Sequence, residues 1–332
     1  MKKPAICALA IIVGFTLSEL VVGQIVGYPR YVTGRRDYII HDSLGPYNKI
    51  TMWPPYYSTW SVEGGNNVVS RNNIGFYGAD VESDSDSKYV LLLGNSFIEA
   101  GQYPGNEIAA GYLQRSISNV RSDLQVINLG ASGHDPYVLW YRLLFFEQTY
   151  KPEKVLLICE SFERLKHYFS RWAGHSSQYS ESISVKEIMP DKLTITQRIM
   201  RNRSSLLNLL GSLISYYQQD LNNNSIETNG NRGLLSNEEA FKRLQIALQN
   251  YSSKYKEGFL FVSLMRDNPY QEELQEYCLN NRINYSYNGN IMIPSNLING
   301  QGHLNISGNQ ELGYYLGKIL VDYMILRNTN GS

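Results

Sequence analysis

The stretch Tyr89-Val90-Leu91-Leu92-Leu93-Gly94-Asn95-Ser96 decides the fold. A short, unbroken apolar run closed by glycine reads as a strand covered on both faces, as in a parallel sheet flanked by helices. Outward from it, the pattern alternates. A helix is predicted from Glu107 to Ser118, a second strand at Gln125-Val126-Ile127-Asn128-Leu129, and a helix from Pro136 to Tyr150 with proline near its start. Val155-Leu156-Leu157-Ile158-Cys159 reads as a third strand, Gly258 to Leu264 as a fourth, and Ile291-Met292-Ile293 as a short fifth. A closing helix from about Ser307 to Asn328 is expected to be capped by Ser307 or a neighbour. Strand–helix alternation of this kind gives a parallel sheet between two helical layers.

Between the third and fourth strands lies a polar insertion, about Leu165 to Tyr255, with helical stretches at Thr194 to Asp220 and Glu238 to Tyr255. An excursion of that length either flanks a site or adds packing. Upstream, residues 28–87 form an irregular lead-in with short strands such as Tyr38-Ile39-Ile40. Its aromatic segment Met52-Trp53-Pro54-Pro55-Tyr56-Tyr57 is either a staple or a cleft edge. Residues 1–27 read as an address: Lys2 and Lys3 precede an apolar run from Ala5 to Leu17 that resumes from Leu20 to Val26. The run approaches the ~20 residues that span a bilayer, which makes it an uncleaved membrane anchor. Alternatively Val21-Val22-Gly23 is the cleavage site of a signal peptide. Either way the domain at 88–328 is expected outside the cytoplasm, periplasmic, at the cell surface or secreted, and a buried core helix is the remaining reading.

Thirty basic residues balance thirty acidic ones over 332 residues, so the broad positive field of a nucleic-acid binder is absent and no nucleic-acid partner is expected. With 43% hydrophobic and 18% charged residues the chain folds around a core. The three cysteines are too scattered for a disulfide framework or a zinc cluster. His41, His167 and His175 show no metal-ligand spacing, so no metal or cofactor is expected. Twenty-six tyrosines suit a protein that handles sugars, and equally suit a packed core.

In an open parallel sheet, ligands sit at the carboxyl ends of the strands. The segments there are Gly94-Asn95-Ser96, Gly130-Ala131-Ser132-Gly133-His134-Asp135, Glu160-Ser161-Phe162-Glu163-Arg164 and, before the last helix, Gly302-His303-Leu304. A serine needs a base to become a nucleophile, and histidine is the usual one near neutral pH. Small residues beside it let backbone N–H groups approach a developing oxyanion, and Gly133 is one such donor. The bland alternatives are a helix cap for Ser96, a structural histidine at 303, and a tight-turn glycine at 133. For His134 and Asp135 the alternative is an ordinary turn, and for Tyr137, Trp140 and Tyr141 core packing rather than a sugar platform. Glu160 pairs with Arg164 one turn on if it has no other role.

Serine after the first strand, glycine after the second and histidine before the last helix resemble the SGNH (GDSL-like) hydrolase superfamily. The likeness runs from about Ser70 to Asn328 and includes Ser70-Arg71-Asn72-Asn73-Ile74-Gly75-Phe76-Tyr77-Gly78, which is similar to the approach segment of many bacterial members. The resemblance implies an α/β, flavodoxin-like three-layer sandwich with a central five-stranded parallel sheet. It implies a serine esterase or O-acyltransferase with Ser96 as nucleophile, His303 as general base, and the Ser96 and Gly133 amides as oxyanion donors. Asn95 and Gln301 are the further expected contacts. The chain departs from the family where Asn95 replaces the Asp of Gly-Asp-Ser. The side-chain donor after the third strand lacks a counterpart in Cys159-Glu160-Ser161-Phe162. Gly300 and Gln301 stand where the triad acid usually lies. Glu160 is then the first substitute for that acid and Asp267 the second; Glu160, Glu163 and Arg164 also resemble, faintly, the third-strand segment of the alginate-acetylation branch. The expected activity is an extracytoplasmic esterase or acyltransferase acting on a small acyl, acetyl above all, of a surface or exported polysaccharide. The expected partners are an acylated carbohydrate or other small ester, and the membrane through the N-terminal helix. The alternative is an inactive relative that binds glycan or assists assembly.

Overall fold

A computed structural model describes the protein at residues 13–21, 36–39, 49–53, 55–56, 58–61, 67–82, 87–171, 186–188, 234–298 and 302–328. The lead-in carries β1 (Arg36–Ile39), β2 (Lys49–Met52), β3 (Ser58–Ser61) and β4 (Asn67–Ser70). Next come β5 (Lys88–Leu93), α1 (Ser96–Glu99), α2 (Ala109–Ser118), β6 (Leu124–Asn128), α3 (Pro136–Glu147), β7 (Pro152–Cys159) and α4 (Phe162–Arg171). Then follow β8 (Lys186–Ile188), α5 (Asn237–Tyr255), β9 (Phe259–Ser263), α6 (Gln271–Asn280), β10 (Asn284–Tyr287) and α7 (Ile306–Asn328).

Five strands make one sheet in the order β10-β9-β7-β5-β6, and every neighbouring pair is parallel. Counted by their own sequence this is the doubly wound 2-1-3-4-5 order, whose switch point lies at the first strand. β5 is that strand, and Leu91 sits in register between Ile127 of β6 and Val155 of β7. Alternate β5 side chains feed two separate cores, which is why the run is apolar throughout. Leu91 and Leu93 join Trp140, Tyr251 and Phe261 beneath α3 and α5. Val90 and Leu92 join Leu113, Ile158 and Leu316 beneath α2 and α7. Each such side chain taken from water stabilises the fold by roughly 1.5–3 kcal/mol.

The lead-in has a packing task. α3 is apolar around its whole circumference, with Tyr137, Trp140, Tyr141, Leu144 and Phe146 all buried, so one sheet face cannot cover it. Ile50 and Phe76 complete that core from outside, Phe76 meets Phe146 edge-on at 5.0 Å, and Tyr38 packs on Phe145 at 5.1 Å. Tyr137, Trp140 and Tyr141 are therefore core residues. β1 pairs antiparallel with both β2 and β8, so a strand from the insertion is tied to the lead-in. Arg71 lies over the Trp53 ring at 4.8 Å and the Tyr77 ring at 4.2 Å, which makes Trp53 a staple.

One expectation needs correction. The fifth strand is Asn284–Tyr287, whereas Gly289–Met292 forms a 3-10 turn. As an edge strand with one partner, Asn284-Tyr285-Ser286-Tyr287 needs no continuous apolar run, and Ile291 is apolar because it is buried in the α2–α7 core. Helix α6, which precedes it, was not expected at all. The cap of α7 is Asn305, a neighbour of Ser307, whose Oδ1 accepts the Gly308 N–H at 2.9 Å. Finally, no helix among the described residues is long and apolar enough to cross a membrane. Of the leader, residues 13–21 are helical and expose Val13, Phe15, Leu17, Leu20 and Val21. The other leader residues, and the stretch Thr194 to Asp220, lie outside the described residues.

Candidate active site

The mouth of the sheet is built where β5 stops. Asn95 is extended (φ −84°) and caps α1 by accepting the Phe97 N–H on Oδ1 at 2.9 Å. α1 is a single turn, so Ser96 begins it with its side chain at the strand end, half-buried. At the far end of the chain, Ile298 N–H bonds to the His303 carbonyl at 2.8 Å and Asn305 N–H to the Asn296 carbonyl at 2.8 Å. An antiparallel bridge between Leu297 and Leu304 closes the same loop. These backbone bonds hold His303 against the mouth. His303 Nε2 lies 3.0 Å from Ser96 Oγ, across 207 residues of sequence.

The loop after β6 is laced to the serine turn. Ala131 N–H bonds to the Gly94 carbonyl at 2.9 Å, and Asn128 Nδ2 donates to the Ile98 carbonyl at 2.8 Å. A Cβ on Gly130 would collide with the Glu99 backbone nitrogen, so only glycine permits this approach. Glu99 then accepts both the Ser132 N–H, at 2.9 Å, and the Ser132 hydroxyl, at 2.6 Å. Sequence reasoning passed over Glu99; its position one turn after Ser96, facing the second loop, was the available signal. Gly133 follows in this turn with φ +74°, and its amide takes no backbone hydrogen bond among the described residues. His134 puts Nδ1 on the Ser132 carbonyl at 2.9 Å. Burial, and then the nearby Arg142 charge, push its pKa down to about 4, so its imidazole is neutral above that pH.

Glu160 follows the end of β7 and is 5% exposed. Asn95 Nδ2 donates to its Oε1, and Arg164 Nη1 stands 3.8 Å from the same oxygen. Burial pushes the Glu160 carboxyl above the ordinary carboxylate range, against the opposing pulls of Asn95, Arg164 and His303. The hydrogen bond of Glu160 goes to Asn95. Asn95 in turn is engaged through both side-chain groups, with Phe97 and with Glu160, and so supports the serine turn. Gln301 lies outside the described residues.

Asp267, the second substitute for the missing acid, has another task. Its Oδ1 accepts the Phe162 N–H at 2.9 Å, and its Oδ2 accepts the Glu163 N–H at 3.1 Å and the Ser161 hydroxyl at 2.8 Å. It caps α4 from a different loop, supplying acceptors that the helix end lacks. Asp267→Ala is expected to cost about 1–2 kcal/mol, the usual worth of a lost cap. A urea titration of parent and variant checks this, and an unchanged midpoint would refute the assignment.

Beside Asn95 and Glu160 lies a small cleft lined also by His134, Leu139, Leu165 and Tyr168. No cluster of three or more metal-binding side chains occurs among the described residues.

The sheet order, the serine leaving the central strand and the histidine entering the last helix at bonding distance decide the architecture. The chain has a doubly wound, three-layer α/β fold with a serine–histidine pair at the mouth of its sheet. No protein-family model and no curated protein matches the sequence. Solved structures similar to it include the psychrotrophic esterase EstA from Pseudoalteromonas sp., at 12% identity and a TM-score of 0.40, covering 72% of this chain and 99% of that one. A member of the lipolytic protein G-D-S-L family from Veillonella parvula is similar at 13% identity and a TM-score of 0.37, covering 70% and 98%. The SGNH-hydrolase family esterase AlinE4 is similar at 14% identity and a TM-score of 0.36, covering 72% and 98%.

Proposed function

We propose that this protein is a serine ester hydrolase or acyltransferase working through a Ser96–His303 dyad. The observation that carries the reading is the 3.0 Å contact between Ser96 Oγ and His303 Nε2 at the mouth of the sheet. With Nε2 as acceptor, His303 takes the hydroxyl proton as Oγ bonds to the ester carbonyl carbon. The carbonyl oxygen becomes an oxyanion, met by the Ser96 and Gly133 amides. Collapse breaks the bond to the alcohol, which leaves with the proton from His303, and Ser96 keeps the acyl group. Water or a second hydroxyl then gives its proton to His303 as its oxygen bonds to the acyl carbon, and His303 returns that proton to Ser96 Oγ as the acyl–Oγ bond breaks; this is hydrolysis in the first case and transfer in the second.

Twenty-six tyrosines favour a glycan carrier. Lys2 and Lys3 before an apolar run favour a domain outside the cytoplasm, held at the membrane by that run or secreted after its removal. A non-catalytic, glycan-binding role is favoured by one observation: the position after β7 holds Glu160, a carboxylate that cannot donate to an oxyanion in its charged form. One experiment decides between them. The full-length chain is treated with a fluorophosphonate probe, digested and read by mass spectrometry, beside Ser96→Ala. A single adduct on Ser96, absent from the variant, is expected. A folded parent that takes up no probe would establish the binding role instead.

A further inference from the structure

The residue before the nucleophile and the residue before the base are joined by a chain of side chains. Asn95 donates to Glu160, Glu160 faces Arg164 at 3.8 Å, and the Arg164 guanidinium lies on Gly302. The last contact is tight: a Cβ at Gly302, where φ is +67°, would collide with Arg164 Nη2. Glycine at 302 thus does two things, turning the chain into His303 and leaving room for the guanidinium. Nothing comparable comes from positions 300 and 301, where Gly and Gln offer no carboxylate to steady the imidazole.

We propose that Arg164 is a positioning residue of this site: held by the Glu160 carboxylate, its planar guanidinium fixes the loop that carries His303 against the turn that carries Ser96. The proposal rests on the ester chemistry inferred above and says how the loop of the base is kept in register with the turn of the nucleophile. The backbone bonds from Ile298 and Asn296 hold one side of the His303 loop. Arg164 holds the other, from a helix whose own N-terminus Asp267 secures. A rigid, planar guanidinium suits the task because one nitrogen, Nη1, faces the Glu160 carboxylate while the other, Nη2, reaches the backbone at Gly302. Lysine, a point charge on a flexible stem, keeps the attraction to Glu160 and loses the second nitrogen.

The test uses the full-length chain with Arg164→Ala and Arg164→Lys. Misplacing a reacting group by about 1 Å costs on the order of 100-fold. Arg164→Ala is therefore expected to lose roughly 10- to 100-fold in kcat for p-nitrophenyl acetate, with KM nearly unchanged. Added guanidinium chloride, well below denaturing levels, should restore part of the loss, and Arg164→Lys should fall between parent and alanine variant. In the resting protein, the imidazole nitrogen signals of His303 should move in Arg164→Ala and return with guanidinium. Unmoved His303 signals, a parent-like kcat, or a loss that guanidinium leaves untouched would each overturn the positioning role. A parent that hydrolyses nothing, yet whose His303 signals respond to Arg164→Ala, would sink the ester reading and leave the positioning intact.

Discussion

In Ser96→Ala, hydrolysis of an activated acetyl ester is expected to fall on the order of 10³- to 10⁶-fold, in His303→Ala by a similar factor, and in the double variant no further. The two groups act as one unit. Without the imidazole the hydroxyl keeps its proton and is a poor nucleophile, and without the hydroxyl the imidazole has nothing to activate. Losses that act through one step do not add. What survives is the contribution of the Ser96 and Gly133 amides and of binding itself. The fold should tolerate both changes. Ser96 is the first residue of a one-turn helix capped by Asn95, where alanine is readily accommodated. His303 is held by its carbonyl to Ile298 and by its neighbours Leu304 and Asn305, none of which needs the ring. Steady-state kinetics with melting curves measured in parallel check this. A His303→Ala variant that keeps more than about a tenth of the parent rate would break the dyad, since general-base help alone is worth about 10²–10⁴-fold.

The parts of this molecule that could be read from its letters are those whose chemistry is local. β5, β7 and β9 are buried on both faces, so each is spelled as an unbroken apolar run. The turns after β5 and β6 are spelled in glycine and small polar residues, because the two loops pass within backbone contact. β10 was misplaced because an edge strand obeys weaker rules, and because Ile291 is apolar for a reason that involves α7. The carboxylates were harder still. Glu160 and Asp267 both follow strand ends, and by sequence either could stand behind His303. Only the folded chain separates them, since Asp267 caps α4 while Glu160 faces Asn95 and Arg164. The Asn95 amide donates to the Glu160 carboxylate, so the serine turn and the turn after β7 are tied together by a side-chain hydrogen bond.

Asp135 carries the largest stability effect. It is 1% exposed and caps α3, its Oδ1 accepting the Val138 N–H at 2.9 Å, while its Oδ2 has no hydrogen-bond partner among the described residues. Burial pushes its carboxyl up to about 7, although the cap and the Arg243 charge pull the other way. The unfolded chain releases this proton near the ordinary value of 3.8, and the folded chain holds it to about 7. Its contribution is thus fully present below about 4 and is lost as pH rises through 7, after which it is level. A gap of about three pH units corresponds to about 4 kcal/mol. Asp135→Asn keeps the shape and the Oδ1 cap but does not titrate. It brings a buried amide hydrogen in place of Oδ2, a cost of about 1–3 kcal/mol that is the same at every pH. The slope is therefore the diagnostic, not the sign at one pH. Cys159 and Tyr251, which face Asp135, are both pushed well above their ordinary values and stay protonated throughout. His134 is neutral above about 4 and marks the lower bound of the window. Urea midpoints measured at pH 4.5, 6 and 8 should show the parent losing stability relative to Asp135→Asn by about 3–4 kcal/mol across the range. Parallel curves for the two proteins would mean that Asp135 is charged in the folded state throughout, with Oδ2 stabilised by a group that the present geometry does not supply.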